Sequence, residues 1–242
     1  MHPNQCSYAK SVLEEFMGGG WDGLILTTCC DSIRRLSDVL KDACPDKFVY
    51  LLDLPRKVND FTAELYAGRI WAMLEAYAAF SGKSYDEAAL AALLEKKRKE
   101  SALSHAPEVG QHRVKVGILG ARCPQGVRDM LRECGGQAVF DLTCTGIDRN
   151  FPLSGGDVLT GYAHALLSQF PCMRMADAVN RGRYWKQMEN EVDGLLYHTV
   201  QFCDNFPYEY AALKGDVSVP LLELETDCTP QGEGQIRTRL QA

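Results

Sequence analysis

The sequence contains one short pattern twice, and this repetition constrains the fold more than any other feature. Asp22-Gly23 precedes an apolar run, two threonines and then Cys29-Cys30-Asp31. Asp193-Gly194 likewise precedes an apolar run, and that copy ends in Cys203-Asp204. Each copy predicts a short buried strand, a turn, and a cysteine at the start of a helix that the following aspartate caps. The backbone N–H groups and dipole of such a helix favour a thiolate.

Continuous apolar strands separated by amphipathic helices make up most of the chain. Residues 48–52 are apolar throughout, and the helix from Asp31 has an apolar stripe at helical spacing. This combination is typical of parallel sheets covered by helices on both faces. We expect an α/β protein with two Rossmann-like, doubly wound domains, residues 1–110 and 111–242, and a helical hairpin at residues 59–104 between them. A further helix is predicted over residues 175–191.

The repeated cysteines indicate where a functional site lies in such a fold. In open α/β sheets, ligands bind outside the carboxyl ends of the strands. Cys30 and Cys203 both come just after a predicted strand. We therefore expect a cysteine-ligated centre in the cleft between the two domains.

Composition and charge exclude several classes of protein. The net charge is -6 and no stripe of basic residues is present, so nucleic acids and anionic membranes are not expected partners. No apolar run is long enough to span a bilayer and no signal peptide begins the sequence, so we expect a cytoplasmic protein.

Cysteine is abundant for a protein of this kind. There are 10 cysteines and no C-x-x-C pair, which argues against zinc ribbons and bacterial ferredoxin loops. In a reducing compartment these residues are expected to be thiols, metal ligands or redox groups rather than disulfides.

Six segments, taken together and in order, carry a resemblance to a known family. They are residues 6–10 (CSYAK), 28–35 (TCCDSIRR), 52–56 (LDLPR), 197–204 (YHTVQFCD), 224–227 (LETD) and 234–239 (GQIRTR). The chain resembles the 2-hydroxyacyl-CoA dehydratase D-component family, which includes 2-hydroxyglutaryl-CoA dehydratase and related benzoyl-CoA reductase subunits. The resemblance covers nearly the whole chain.

The resemblance implies a [4Fe–4S] cluster bound by three cysteines, which by motif are Cys6, Cys30 and Cys203. Three thiolates on a four-iron cube leave one iron without a protein ligand, and an open metal position can bind substrate. The implied enzyme is a hydro-lyase component of anaerobic metabolism, in amino-acid fermentation. It removes water from a 2-hydroxyacyl-CoA to give a 2-enoyl-CoA, through a ketyl radical formed at the open iron.

The resemblance also implies partners. A separate ATP-dependent iron–sulfur activator protein delivers the electron, and a homologous second subunit, or a second copy of this chain, completes the enzyme. Family members carry an α/β segment before the first ligand cysteine. Because Cys6 lies near the start of this sequence, we expect that N-terminal segment to be lacking, together with the substrate-pocket residues that it supplies.

Several residues have competing interpretations. Cys29 is the rival of Cys30, which we prefer because it directly precedes Asp31, as Cys203 precedes Asp204. Cys172 resembles Cys6 in its place before a helix, and we interpret it as a thiol near the site or in the core. Five further cysteines are interpreted as structural: Cys44, Cys123, Cys134, Cys144 and Cys228.

Some polar residues also have two interpretations each. His198 either bonds a cluster sulfide or substrate oxygen, or is a satisfied, half-buried histidine. Gly117 to Gly120 lacks the full phosphate-binding pattern, so a strand–helix turn is favoured. Five arginines either pair with CoA phosphates or form salt bridges: Arg34, Arg35, Arg56, Arg237 and Arg239.

Three other functions remain open from the sequence. A benzoyl-CoA-reductase-type subunit would use the same residues to reduce a ring. A non-catalytic [4Fe–4S] carrier would bind the cluster but no acyl-CoA. A two-domain α/β binding protein with incidental thiols would bind no cluster.

Overall fold

The computed structural model describes residues 2–104, 113–144, 146, 157–229 and 232–241, without the side chains of residues 100–104 and 179. Its elements, in chain order, are α1 (Ser7–Met17), β1 (Gly23–Thr27), α2 (Asp31–Ala43), β2 (Phe48–Leu52), α3 (Asp60–Ser81), α4 (Glu87–Ser104), β3 (Val114–Gly120), α5 (Gln125–Glu133), β4 (Gly136–Asp141), α6 (Val158–Leu167), α7 (Arg181–Lys186), β5 (Gly194–Val200), α8 (Phe206–Leu213), β6 (Leu221–Thr226) and α9 (Glu233–Gln241). The predicted α/β class with parallel sheets is confirmed.

The chain divides into two compact units that are discontinuous in sequence. Unit 1 contains Val12–Ala106 and Asp148–Asp177, whereas unit 2 contains His2–Ser11, Pro107–Ile147 and Ala178–Ala242. The predicted domain boundary at residue 110 lies outside the described residues. The predicted domains 1–110 and 111–242 stay a prediction.

Unit 1 is built on the parallel pair of β1 and β2. Gly23 pairs with Phe48 and Thr27 with Leu52, and α2 crosses from one strand to the other and packs against both. A helical crossover is the ordinary way to join adjacent parallel strands. The carboxyl ends of both strands therefore lie at one edge, where Cys29 and Cys30 follow β1.

The core of unit 1 lies between α3 and α6. Tyr66, Ile70 and Met73 of α3 are buried against residues of α6 and against Leu52. The helix α3 begins at a capping box, in which Asn59 accepts from the N–H of Thr62, and ends at a left-handed glycine. Both helices of the predicted hairpin, α3 and α4, contact α6.

Unit 2 is built on a parallel sheet with the strand order β4-β3-β5-β6. Ile118, Leu196 and Leu224 point to one face, where α5 and α9 cover them. Tyr197 points to the opposite face because side chains alternate along a strand, and there it packs against Tyr210 of α8. Helices thus lie on both faces of this sheet, as its continuous apolar strands predict.

Two local predictions are wrong. Asp31 and Asp204 do not cap helices: Cys30 and Asn205 hold the capping positions, and neither makes a side-chain cap bond. The predicted helix over 175–191 is broken into short turns of helix around α7. Asn180 lies where the first short turn meets α7 and Asn190 lies in the last short turn, and asparagine is a poor helix former.

No helix in the described part of the chain is both long and apolar enough to cross a membrane.

Candidate functional site

The carboxyl edge of the unit 2 sheet contains the point where the strand order reverses. From β3 the chain continues to β4 on one side, whereas β5 and β6 lie on the other. Ligand sites of open α/β sheets form at such a reversal. Gly120 ends β3 there with a φ of 99°, and Ala121 donates to the carbonyl of His198 on β5 at 2.8 Å.

Cys203 lies in the turn that follows β5 at this edge. Its N–H group donates to the carbonyl oxygen of Val200 at 2.9 Å. Phe202, the residue before it, has a φ of 61°, in the left-handed region that bulky side chains rarely adopt. Gln201 donates to Thr226 of β6 at 2.9 Å, so the base of the turn is joined to the neighbouring strand.

Cys6 reaches the same turn from the other end of the chain. The N–H of Ser7, at the start of α1, donates to the carbonyl oxygen of Gln201 at 3.0 Å. Lys10 lies with its Nζ 5.2 Å from the ring centroid of Phe202. Arg122, just after β3, lies 5.2 Å over the ring of Tyr8. These contacts hold the first turn of α1 against the carboxyl edge of the sheet.

Cys6 and Cys203 are joined by a hydrogen bond between their thiol groups. This bond and the burial of Cys6, which is 8% exposed, raise the pKa of the Cys6 thiol, while the N–H groups of Tyr8 and Ala9 act in the opposite direction. The surroundings of Cys6 thus favour its protonated form. The sequence predicts both residues as ligands, and unit 2 brings them together.

Cys30, the third predicted ligand, lies in unit 1 after β1. Thr28 fixes the start of this turn, because its N–H donates to the carbonyl of Leu52 at 2.9 Å and its Oγ1 donates to Oδ1 of Asp53 at 2.7 Å. Leu54 in turn donates its N–H to Oγ1 of Thr28 at 2.9 Å. Cys30 then precedes α2, and its carbonyl accepts from Arg34 at 3.0 Å.

Cys30 has the rival cysteine as its immediate partner. A hydrogen bond from Cys30, together with Thr27 and the positive charge of Arg174, lowers the pKa of Cys29 to about 6. The same bond to Cys29, with burial, raises the pKa of Cys30. Cys172 also lies close enough to Cys29 for their charges to interact. Unit 1 thus places Cys30 beside Cys29, and Cys29 near Cys172.

The thiols at both edges have the donor chemistry that an iron–sulfur cluster requires. All ten cysteines lie within the described residues, and none of them forms a disulfide there. The two sulfurs of each pair are joined by a hydrogen bond, and a metal ion can replace a thiol proton. Thiolates are the ligands of iron–sulfur clusters, so the residues fit the group. Among the described residues, no group of three or more His, Cys, Asp or Glu side chains is arranged to hold a metal ion.

His198 is part of the core of unit 2. It is 0% exposed, and its Nε2 lies 3.0 Å from Oγ1 of Thr226. Burial lowers the pKa of His198 to about 4. The ring is therefore neutral and bonded to the next strand through Nε2. It is fully buried rather than half-buried, and its Nδ1 makes no hydrogen bond of normal geometry within the described residues.

The arginines and the glycine turn of the sequence analysis also have defined surroundings. Arg35 forms an ion pair with Asp38 at 2.8 Å, and Arg237 forms one with Glu133 at 2.6 Å. Gly120 approaches β5 so closely that a Cβ there would lie 2.2 Å from the carbonyl oxygen of His198. This glycine serves the tight strand–helix turn that the sequence favours.

A buried polar network beside Cys203 was missed from the sequence. Tyr197 of β5 bonds to Glu209 of α8, and Glu209 pairs with Arg181 of α7. Arg181 and Glu209 lie in short helices, and Tyr197 belongs to the segment 197–204 quoted above, where nothing in the sequence pairs its hydroxyl with another residue. The broken helix around Arg181 is the one local signal, and the sequence analysis interpreted it as continuous.

Comparison with known protein families matches the entire chain. Residues 1–106 and 91–242 both match the model of the family described as 2-hydroxyglutaryl-CoA dehydratase, D-component. The chain belongs to this family. No curated protein matches it.

Family membership sets the general role of the protein. The family is that of a dehydratase component, so the chain has an enzyme-related role in a hydro-lyase system of several components. The family resemblance of the sequence analysis is confirmed. The ligand set Cys6, Cys30 and Cys203 stays a prediction.

Proposed function

We propose that this chain is the iron–sulfur subunit of a 2-hydroxyacyl-CoA dehydratase. The observation that carries the proposal is the bond between Cys6 and Cys203, two thiols about 200 residues apart, in a chain of the dehydratase family. Long-range pairing of thiols at the carboxyl edge of a parallel sheet supports a ligand role more strongly than burial alone would, since buried cysteines are common.

The proposed ligand set is Cys6 and Cys203 from unit 2 and Cys30 from unit 1, holding one [4Fe–4S] cluster. The interdomain position of the cluster and the two Rossmann-like domains are part of this proposal. When bound, the cluster supplies one-electron reducing chemistry for radical elimination of water from a 2-hydroxyacyl-CoA, after charging by an ATP-dependent activator.

The chain's own residues prepare the thiols and limit access to them. The N–H groups of Tyr8 and Ala9 at the start of α1 stabilise negative charge on the Cys6 sulfur. The burial of Cys6 beneath the turn restricts water and oxygen at this sulfur. Lys10 and Arg122 lie over the rings of Phe202 and Tyr8, which are close to Cys203 and Cys6 in the sequence, so both cations hold residues beside the cysteines.

The proposal includes the wider system of the enzyme. The partner is a homologous second subunit or a second copy of this chain, and the substrate is an acyl-CoA. The setting is anaerobic amino-acid fermentation in the cytoplasm. A benzoyl-CoA-reductase-type subunit and a non-catalytic cluster carrier are the alternatives that the test must separate.

The test is cluster content after anaerobic reconstitution with iron and sulfide. Wild type is expected to hold about four irons and as many acid-labile sulfides per chain, as a [4Fe–4S] cluster requires. Cys6→Ala, Cys30→Ala and Cys203→Ala are each expected to lose most of this content. Cys134→Ala, which removes a thiol at the end of α5, is the matched control and is expected to keep it.

Two results would contradict the ligand assignment. Full iron content in Cys203→Ala would remove this residue from the ligand set, and equal loss in Cys134→Ala would show a non-specific effect. Loss of iron in Cys29→Ala but not in Cys30→Ala would make Cys29, rather than Cys30, the ligand. With cluster-loaded protein, activator, ATP and partner, dehydration of a 2-hydroxyacyl-CoA supports the dehydratase, whereas ring reduction or absence of turnover supports an alternative.

A further inference from the structure

The polar network next to the Cys203 turn is almost completely buried. The Oη of Tyr197 lies 2.5 Å from Oε2 of Glu209 and 3.0 Å from the carbonyl oxygen of Phe206. Arg181 donates from Nε to Oε1 of Glu209 and from Nη2 to Oε2, the latter at 3.1 Å. The side chains of Arg181 and Glu209 are only 5% and 10% exposed.

Such a network is an inefficient way to stabilise a fold. Removing a cation and a carboxylate from water carries a large desolvation cost, and apolar residues of similar size often stabilise a core equally well or better. A fully bonded buried network is better suited to fix one geometry among several. The question is which geometry this network fixes.

The network joins the two ends of the loop that carries Cys203. Val200 is the last residue of β5 and Phe206 is the first residue of α8, so the loop covers residues 201–205. Tyr197 belongs to the strand, whereas the Phe206 carbonyl and the Glu209 carboxylate belong to the first turns of the helix. The tyrosine hydroxyl thus fixes the separation between strand and helix on either side of the cysteine.

Two further contacts hold the strand side of the loop. Gln201 is bonded to Thr226 on β6, and Ser7 is bonded to Gln201. Both contacts are on the strand side of Cys203. The position of the thiol relative to Cys6 therefore depends on how the helix side is held.

We propose that Tyr197, held by Glu209 and Arg181, is a positioning residue that keeps Cys203 opposite Cys6. Its relevance to catalysis rests on the proposed function, in which this pair contributes two cluster ligands. Its effect on the thiol pair can be measured without any metal.

The experiment is a thiol–disulfide equilibrium on the metal-free chain in buffers of reduced and oxidised glutathione. The Cys6 and Cys203 thiols lose two electrons and two protons and form one disulfide, while glutathione disulfide gains them and gives two glutathione thiols. Mass spectrometry of peptides gives the fraction bridged between residues 6 and 203. The equilibrium constant measures how well the fold holds the two sulfurs together.

Tyr197→Phe removes only the hydroxyl and is expected to lower this constant about tenfold, the effect of losing one bond to a charged group. Tyr208→Phe, on the exposed side of the same helix at 77% exposure, is expected to leave it unchanged. Leu213→Ala removes a buried contact of α8 without touching the network. It is expected to lower the thermal midpoint and leave the constant within about twofold of wild type.

The controls separate positioning from general stability. A constant for Tyr197→Phe within about twofold of wild type would overturn the proposal. An equal fall in Leu213→Ala would also overturn it, because any loosening of α8 would then have the same effect. Failure of the proposed function would appear elsewhere, as wild type without iron after reconstitution, and would leave the glutathione equilibrium fully interpretable.

Discussion

Replacement of His198 by glutamine should change how the stability of unit 2 depends on pH. In the folded chain this ring is 0% exposed, and burial lowers the pKa of His198 from 6.5 to about 4. Its nearest positive charge, Arg128, acts in the same direction. The unfolded chain therefore binds a proton as the pH falls through 6.5, whereas the folded chain does not until the pH approaches 4. Acid favours the unfolded state over this interval.

The size of the effect follows from the two pKa values. Above pH 7.5 the buried ring does not change the pH dependence of the free energy of unfolding. Proton linkage predicts that it lowers this free energy by about 2 kcal/mol at pH 5 and by about 3 kcal/mol at pH 4. In His198→Gln this contribution is absent. Glutamine can still bond to Thr226, so the variant keeps the partner of Nε2.

The assay is urea unfolding from pH 8 to 4.5, followed by the fluorescence of Trp185, which is 2% exposed in unit 2. Trp21→Phe and Trp71→Phe in both proteins leave this residue as the reporter, and both of these tryptophans are largely exposed. The difference between wild type and His198→Gln should shrink or reverse towards low pH. Parallel curves over the whole range would refute the reasoning, because they would show that the ring titrates alike in both states.

Two further predictions concern the edges that carry the cysteines. Gly120→Ala should lower the free energy of unfolding in urea by several kcal/mol, and Gly135→Ala by only about 1 kcal/mol. Both glycines have a positive φ, but only the Cβ at 120 would meet backbone, 2.2 Å from the carbonyl oxygen of His198. Equal costs for the two variants would exclude the clash. Thr28→Val should lower the free energy of unfolding by about 1–3 kcal/mol, because it removes the hydrogen bonds of the buried hydroxyl with Asp53 and with the N–H of Leu54. An unchanged thermal midpoint would contradict this.

The sequence predicts the regular elements well because their signals are local. The apolar strand Phe48–Leu52 has the predicted bounds, and the helix from Asp31 begins where its apolar stripe begins. The failures come from competing local effects. Asp31 falls inside the first turn of α2 rather than before it, and asparagines lie in the short turns that interrupt the predicted helix over 175–191.

Only part of the candidate site can be predicted from the sequence. A repeated pattern identifies Cys30 and Cys203, and the order of the strands explains why Cys203 lies at a ligand-binding edge. The partner of Cys203 could not come from spacing, since Cys6 is at the other end of the chain and only the fold brings it near. The role of Glu209 likewise depends on a contact with Tyr197 across two elements, which no periodicity records.

The discontinuity of unit 2 has a consequence for biosynthesis. Translation proceeds at about 5–20 residues per second, so Cys6 is made roughly 10–40 s before Cys203. Throughout that interval the nascent chain presents one thiol of the pair without the other. The bond between the two thiols, and the docking of the first turn of α1 on the sheet edge, can therefore form only after Cys203 has been made.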